Sequence, residues 1–330
     1  MEGPIKTKSI VVVSIIVLAA IIGAYYHWFH NSGSETVQEV EYVISPSLDL
    51  MDTPAVVHKV LEVLQYGDRV EILKKEGPWA RVRASSGSEG WVITKELVPS
   101  KSYEGAQKLL RELKERQVQA AGHTVLAANI HLEPERDAPG LGMLPEGQAV
   151  QVFDRRMVAR KVAGGAKQAA SSAPVADAWY LVEAGNRVGW LLGRLITLDI
   201  PQGISQYAAN YNTVAWFVLD TVRDGDANVP QYLVADREGT VEFDFTHIRV
   251  FTWSVRGHHY VTSFVKGGLE GSFPIQVELI KKVPYFRLRL VSSEGKKFQS
   301  VYGLFNTIVR PVGTVEGWES NAMPGRARRR

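Results

Sequence analysis

Short runs of alternating apolar and polar residues dominate the chain from about residue 40 onward. Val70-Glu71-Ile72 and Trp79-Ala80-Arg81-Val82 alternate in this way, and Phe286-Arg287-Leu288-Arg289-Leu290 does so near the C-terminus. A period of two is typical of half-buried β-strands. Turn segments such as Ser85-Ser86-Gly87-Ser88 and Ser292-Ser293-Glu294-Gly295 separate the runs. Short strands with close turns favour small barrels or sandwiches over one open sheet.

One segment near the N-terminus departs from this pattern. Ser9–Tyr26 carries no charge, follows Lys6 and Lys8, and is succeeded by Trp28 and Phe29. An apolar run of this length with an aromatic border predicts an uncleaved transmembrane helix, and the preceding lysines place the N-terminus in the cytoplasm. A cleaved signal peptide is the alternative.

The region between about residues 40 and 198 contains the same pattern twice. The first copy reads LEVLQYGDRVEI, then GPWARV, then EGWV, and the second reads LGMLPEGQAVQV, then AWYLV, then VGWL. An insertion over residues 158–177, rich in Ala, Gly and Ser, separates the middle strands of the second copy and predicts a loop. Internal repetition of this kind predicts two similar small domains.

The repeated elements carry a resemblance to a known family. The order Leu-x-x-Gly-Asp-x-Val, Trp-x-x-Val and Gly-Trp-Val resembles the bacterial SH3 (SH3b) family, over residues 40–98 and again over 124–198. Such domains are small five- or six-stranded barrels found mostly in cell-envelope proteins, so the resemblance implies a binding role at the envelope. The family's usual opening, Leu-Asn-Val-Arg-x-Gly-Pro, lacks its arginine at Leu48–Pro54 and at Ala128–Pro134.

The predicted fold is mostly β, with an N-terminal transmembrane helix and a C-terminal antiparallel barrel or sandwich of roughly eight strands. The predicted domains are a cytoplasmic stub, anchor and linker (1–35), a first SH3b-like barrel (36–100), a helical spacer (101–123), a second barrel (124–199), a C-terminal antiparallel β domain (200–315) and a basic disordered tail (316–330).

Composition excludes several classes of function. The chain contains no cysteine, which excludes disulfides, thiol nucleophiles and thiolate metal sites. Its net charge of +3 is too small to indicate nucleic-acid binding. We therefore expect no nucleic-acid partner.

The remaining chemistry-bearing residues do not form a recognised motif. His258 and His259 are adjacent in a predicted strand and would point to opposite faces, which disfavours a zinc site. Asp224, Asp226 and Asn228 resemble the start of a calcium loop, but an ordinary hairpin is the alternative. The acids available for glycoside cleavage each have a plain surface-strand explanation; they are Glu238, Glu242, Asp244, Glu270 and Glu278. The chain is therefore expected to have no metal, no cofactor and no enzymatic activity.

These observations together predict a membrane-anchored binding or scaffold protein of the bacterial inner membrane, with its bulk in the periplasm or outside the cell. Its expected partners are the membrane and either peptidoglycan or an envelope protein. Trp91, Trp190, Tyr66 and Tyr180 are the predicted ligand-binding residues, and packing of the tryptophans in the barrels is the alternative.

Two other functions remain open. The C-terminal domain could carry an apolar small ligand in a cavity lined by Phe243, Phe245, Phe251, Trp253 and Phe286, although the same residues could fill a packed core. An unrecognised carbohydrate-active enzyme would require two carboxylates about 5–10 Å apart in a cleft.

Overall fold

The computed structural model describes residues 37–160, 176–207, 211–239, 243–320 and 324. Over these ranges the chain forms 22 strands and two α-helices, and it divides into two compact units between Leu97 and Val98. The dominance of strands confirms the β-rich fold that the alternating pattern predicts.

The membrane-anchored part of the prediction is corrected. Within the described ranges, no helix is both long enough and apolar enough to cross a bilayer. The predicted anchor at Ser9–Tyr26 lies outside the described residues, as do residues 161–175 of the predicted loop and most of the C-terminal tail. The transmembrane helix and the inner-membrane location are therefore not retained.

Seven strands form what we call the first barrel: β1 (Glu39–Val43), β2 (Ser47–Met51), β3 (Val60–Gln65), β4 (Arg69–Glu76), β5 (Trp79–Ala84), β6 (Glu89–Ile93) and β7 (Leu97–Pro99). They hydrogen-bond in the order β3-β2-β6-β5-β4-β1-β7. Every second residue points inward, so that Val70, Ile72, Val82 and Val92 are fully buried in one apolar cluster.

Helix α1 (Ser100–Leu113) follows, and it ends earlier than the predicted spacer. The second barrel then consists of β8 (Ala120–Thr124), β9 (Ala128–His131), β10 (Gly140–Leu144), β11 (Ala149–Ala159), β12 (Ala176–Ala184), β13 (Arg187–Leu192) and β14 (Ile196–Leu198). Their order is β10-β9-β13-β12-β11-β8-β14, which is the order of the first barrel strand for strand. The repeated sequence pattern thus corresponds to a repeated topology.

Glycines explain two features that both barrels share. Gly67 and Gly147 have φ angles of 90° and 72°, in the left-handed region that the turn before β4 and β11 requires. Gly90 and Gly189 stand where strands approach closely. A Cβ on Gly90 would lie 2.6 Å from the Met51 carbonyl oxygen, and one on Gly189 would lie 2.7 Å from that of His131.

The C-terminal domain is a sandwich rather than a closed barrel. After the short helix α2 (Gln202–Ser205), the first sheet contains β15 (Asn212–Asp224), β16 (Ala227–Arg237), β17 (His247–Ser254) and β18 (His259–Lys266), and the second contains β19 (Gly271–Ile280), β20 (Val283–Val291), β21 (Lys297–Phe305) and β22 (Ile308–Glu316). Each sheet is a four-stranded meander in sequence order.

The aromatic residues that a ligand cavity would need are packed instead. Phe245 and Phe286 are fully buried between the two sheets, where Phe245 stacks on Phe273 and Phe286 stacks on Tyr302. Phe251 packs in a separate cluster with Trp253 at its edge. This packing does not support carriage of an apolar ligand by these residues.

Gln119 joins the second barrel to the sandwich. Its side-chain amide donates to the Ile275 carbonyl oxygen at 3.1 Å and accepts from the Ile275 N–H at 2.8 Å. Its own N–H donates to Val152, and its carbonyl oxygen accepts from the N–H of Trp216. The residue is fully buried, and all of these polar groups are satisfied, as burial of an amide requires.

A buried ion pair crosses the same junction. The Arg155 guanidinium of β11 donates to the Asp244 carboxylate at 3.0 Å, and the Phe273 N–H donates to the other oxygen at 2.9 Å. Burial raises the pKa of Asp244 to about 6. Asp244 is therefore an interior residue, and the surface-strand explanation given for it from sequence is wrong.

Gly90→Ala is expected to destabilise the first barrel by about 1–3 kcal/mol, because the added methyl group would overlap backbone of β2. Chemical denaturation monitored by circular dichroism measures the change. Gly140→Ala is the matched control, since a Cβ at Gly140 meets no atom within 4 Å. Equal effects of the two substitutions would contradict the close approach.

The stability of the second unit should depend on pH through Asp244. The folded state holds this proton up to about pH 6, whereas the ordinary pKa is 3.8, so the folded state binds more protons between these values. The free energy of unfolding should therefore fall as pH rises from 4 to 7, by on the order of 3 kcal/mol relative to Asp244→Asn. Parallel curves for the wild type and the variant would show that this carboxyl does not titrate as described.

Candidate functional site

Both tryptophans of the first barrel lie on the outer face of the β5–β6 hairpin. Trp79 pairs with Ile93 and Arg81 pairs with Trp91, and opposed residues of an antiparallel pair point to the same side. The alternate residues Ala80 and Val92 fill the core, so the tryptophan rings do not. All four outer residues are half-buried. We call Trp79, Arg81, Trp91 and Ile93 the aromatic face.

The aromatic face continues across β2 and β3. Trp91 pairs with Met51, which is itself buried, and Met51 pairs with Val60 at a shift in the β2–β3 register. Val60 is exposed, and so are Val56 and Val57 in the preceding loop, with 98% and 88% of their surface accessible. The tryptophan therefore stands between an apolar side and the basic Arg81.

A charged row borders the aromatic face. Arg83 donates to Glu89 at 2.7 Å and lies 3.5 Å from Glu71. Hydrogen bonding to Glu89 raises the pKa of the Arg83 guanidinium above its ordinary value. Arg81 also reaches Glu89, at 3.3 Å. Glu89 thus binds both arginines at one edge of the aromatic face.

The equivalent face of the second barrel is closed. Trp179 pairs with Leu192 and Leu181 pairs with Trp190, in the same register as in the first barrel. All four side chains are buried, and Trp190 retains only 4% of its exposure. The Arg156 guanidinium lies over its ring at 4.7 Å, a cation–π arrangement. A ligand could reach Trp190 only if Arg156 moved.

The two predicted tyrosines lie away from the tryptophans. Tyr66 follows β3, six positions beyond Val60, which at ~3.3 Å per residue is a distance of about 20 Å along the strand. Tyr180 alternates with Trp179 and Leu181 on β12, so it points to the opposite face from Trp190. The structure therefore groups Trp91 with Trp79 rather than with the other three predicted residues.

Trp79 and Arg81 are functional candidates that sequence reasoning did not select. The signal was present, because the turn over residues 85–88 predicts the hairpin that brings Trp79-x-Arg81 beside Trp91-x-Ile93. Only the strand register, which the sequence leaves open, shows that both tryptophans share the outer side.

The suggested calcium loop is an ordinary hairpin. Asp224 pairs with Ala227 at its end, and its carboxylate accepts from the Trp253 indole N–H at 2.8 Å and bonds His258 at 2.6 Å. These bonds lower the pKa of Asp224. Among the described residues, no group of three His, Cys, Asp or Glu side chains could hold a metal ion.

The acids considered for glycoside cleavage have different surroundings. Glu278 binds Arg287 at 2.7 Å, Glu238 lies 3.7 Å from His247, and Asp244 is in the interior pair with Arg155. Glu242 lies outside the described residues.

The two adjacent histidines do not share one strand. His258 lies in a turn, and β18 begins at His259.

Comparison with protein families identifies the first barrel. The model of the bacterial SH3 domain family matches residues 52–98, which form a bacterial SH3 domain. The match covers β3 to β7 and includes the aromatic face. It confirms the resemblance read from the first copy of the repeat.

One curated relative bears on activity. The chain is 26% identical over 160 residues to YrvJ of Bacillus subtilis strain 168, which is named as a candidate N-acetylmuramoyl-L-alanine amidase. The match covers 46% of this chain and 26% of that protein, so the chain spans about a quarter of its length. The prediction that the protein has no enzymatic activity is wrong in the light of this relative.

Three solved structures share partial similarity with the chain. NlpC2 and NlpC1 from Trichomonas vaginalis align over 72% of this chain and 99% and 95% of theirs, at 14% and 13% identity and a TM-score of 0.18. An NlpC/P60 family protein from Bacillus cereus aligns over 53% of this chain and 64% of its own, at 11% identity and a TM-score of 0.20. TM-scores of this size do not indicate a shared fold.

The accessibility of the tryptophans is testable directly. Oxidative footprinting read by mass spectrometry should modify Trp79 and Trp91 several-fold faster than Trp179 and Trp190, because only the first pair is half-exposed. The two barrels serve as internal controls for each other. Equal rates in both barrels would mean that the aromatic face is covered.

Proposed function

We propose that this protein acts in peptidoglycan hydrolysis and that its first barrel holds the wall polymer through the aromatic face. Two findings support the proposal. The first barrel is a bacterial SH3 domain, and a relative of the chain is named as an N-acetylmuramoyl-L-alanine amidase. The second barrel, with the same strand order, is proposed as a second domain of this type.

The observation that carries the proposal is the position of Trp79 and Trp91. Ala80, Val82 and Val92 occupy the core, so both rings lie on the outer side, and they stay half-buried where their counterparts Trp179 and Trp190 are fully covered. Half-exposed indole rings present flat apolar surfaces on which sugar rings and peptide side chains stack, while Arg81 supplies hydrogen-bond donors beside them. An amino-sugar polymer with peptide branches can make both contacts, stacking on the indole rings and hydrogen bonding to Arg81.

The aromatic face could bind either an envelope protein or peptidoglycan. Binding to a protein of the envelope would use the same rings, since tryptophan and arginine are enriched where proteins meet. Peptidoglycan is favoured because both comparisons that support a function point to the cell wall.

Co-sedimentation of the full chain with purified peptidoglycan sacculi tests the binding. We expect saturable binding that Trp91→Ala weakens by about tenfold, the loss of one well-packed aromatic contact with its burial. Trp91→Phe should retain part of the affinity because it keeps an aromatic ring. Circular dichroism establishes that each variant is folded.

Tyr66→Ala is the matched control, since it removes an aromatic ring from the same barrel at a distance from the face. Wild-type affinity in this variant, together with the loss in Trp91→Ala, is the expected pattern. The reverse pattern, or no binding above an unrelated protein, would overturn the wall-binding role. Hydrolysis has a separate readout, the release of soluble fragments from the sacculi. Release above the buffer blank is expected, and its absence would overturn the hydrolytic half alone.

A further inference from the structure

A polar groove of about 670 Å³ lies in the second unit, where the second barrel meets the sandwich. Its lining comprises residues 115–117 after α1, Asp154 and Arg156 of β11, residues 273, 274 and 276–278 of β19, and Arg287 and Arg289 of β20. Its volume lies in the range of small-ligand sites, about 300–1,000 Å³. The aromatic face is in the other unit, so the groove is a separate feature.

Two irregular strands shape the groove. The pairing of β11 with β12 shifts between Val152 and Asp154, and the pairing of β19 with β20 shifts between Ser272 and Gln276. β-Bulges redirect side chains and are frequent next to functional sites. The Gln117 side chain accepts from the N–H of Val277 at 2.7 Å, which fixes the segment after α1 against β19. Backbone segments of β11 and β19, both at shifts in strand pairing, therefore border the groove.

Asp154 is the best-sequestered acid in the groove, with 16% of its side chain exposed. One carboxylate oxygen accepts from the N–H of Arg155 at 2.8 Å. The other lies 4.0 Å from the guanidinium groups of both Arg116 and Arg156, which is longer than a charge-assisted hydrogen bond of about 2.7–2.9 Å. Burial raises the pKa of Asp154 despite the nearby arginines. The three charged groups therefore form long ion pairs without a direct hydrogen bond between them, and Arg156 also lies over the Trp190 ring.

The lining of the groove carries a second set of charges. Arg287 and Glu278 form a close pair, with contacts of 2.7 and 3.0 Å. Arg289 donates to the Trp318 carbonyl oxygen, and Glu319 lies at the rim. The lining includes four arginines, Arg116, Arg156, Arg287 and Arg289, and four acids, Glu115, Asp154, Glu278 and Glu319.

This balance of charge defines the ligand. The lining carries both charges in equal number, so neither a polyanion nor a polycation gains a net attraction from it. A molecule with both signs can place a carboxylate between Arg116 and Arg156 and an ammonium group on the Asp154 oxygen. Arginine binds carboxylates with two parallel hydrogen bonds, which adds directional preference.

We propose that this groove binds a short peptide carrying both free carboxylate and free ammonium groups. Asp154 receives the ammonium group, and Arg116 and Arg156 receive the carboxylate. The site does not depend on the binding of the wall by the first barrel, because it is formed by residues of the second unit alone.

Isothermal titration of the full chain tests the proposal with defined probes. The zwitterionic probe is the tetrapeptide Ala-Glu-Lys-Ala with free termini. The neutral probe is N-acetyl-Ala-Gln-Gln-Ala amide, and tetraglutamate and tetralysine represent the two single-sign classes. We expect the zwitterionic peptide to bind at least about tenfold more tightly than each of the others.

Arg116→Gln and Asp154→Asn should each weaken binding of the zwitterionic peptide by about tenfold while the protein stays folded, because each removes one charge-assisted bond. Arg111→Gln is the matched control, since it removes the same charge from the exposed face of α1, outside the groove. Trp91→Ala should keep the peptide affinity, so failure of wall binding and failure of this site give different patterns.

Equal binding of the zwitterionic and neutral peptides would overturn the proposal, as would preference for tetraglutamate or tetralysine. Absence of measurable binding would overturn it as well. Affinities of Arg116→Gln and Asp154→Asn within twofold of the wild type would show that the groove is not the binding site.

Discussion

The buried side-chain amide of Gln119 connects the second barrel to the sandwich by backbone-like hydrogen bonds, although the two domains share no sheet. Because it both donates to and accepts from Ile275, it reproduces the hydrogen bonding of a paired strand at the point where β19 departs from regular pairing with β20. An amide buried without these partners would cost several kcal/mol, so its satisfaction fixes the separation of the barrel from the sandwich. The Arg155–Asp244 pair and the groove beside it both require that separation.

The two barrels show how one topology can serve two physical purposes. The strand order and the register of the tryptophan-bearing hairpin are the same in both. In the second barrel, Leu181 stands at the position of Arg81 and Arg156 covers the ring of Trp190, so the hairpin is part of a larger packed unit. In the first barrel, Arg81 is bonded to Glu89, and these two charged residues keep the hairpin half-exposed. Arg81 and Glu89 of the first barrel correspond to Leu181 and Val188 of the second, so two changes from a charged to an apolar residue accompany the change from accessible surface to interior.

Local features of the fold were readable from sequence, and long-range ones were not. The alternation of β5 and β20 depends on neighbouring residues, and the structure shows these strands as expected. Gln119 reads as a polar residue of a helical segment, and its partner Ile275 is 156 positions away. Asp244 reads as a surface acid because its partner Arg155 is 89 positions away. The burial of Trp190 likewise depends on Arg156, from another strand.

Gly90 and Gly189 also constrain how the two copies can change over evolutionary time. At each position a single methyl group would collide with a backbone carbonyl of the neighbouring strand, so substitution there is penalised whatever the rest of the barrel contains. The outer face carries no such restriction, because its side chains point away from the strand crossing. On that face the two copies keep their tryptophans but differ at Arg81 and Leu181. A barrel can in this way lose the sequence features of its family while it keeps the strand order that the glycine protects.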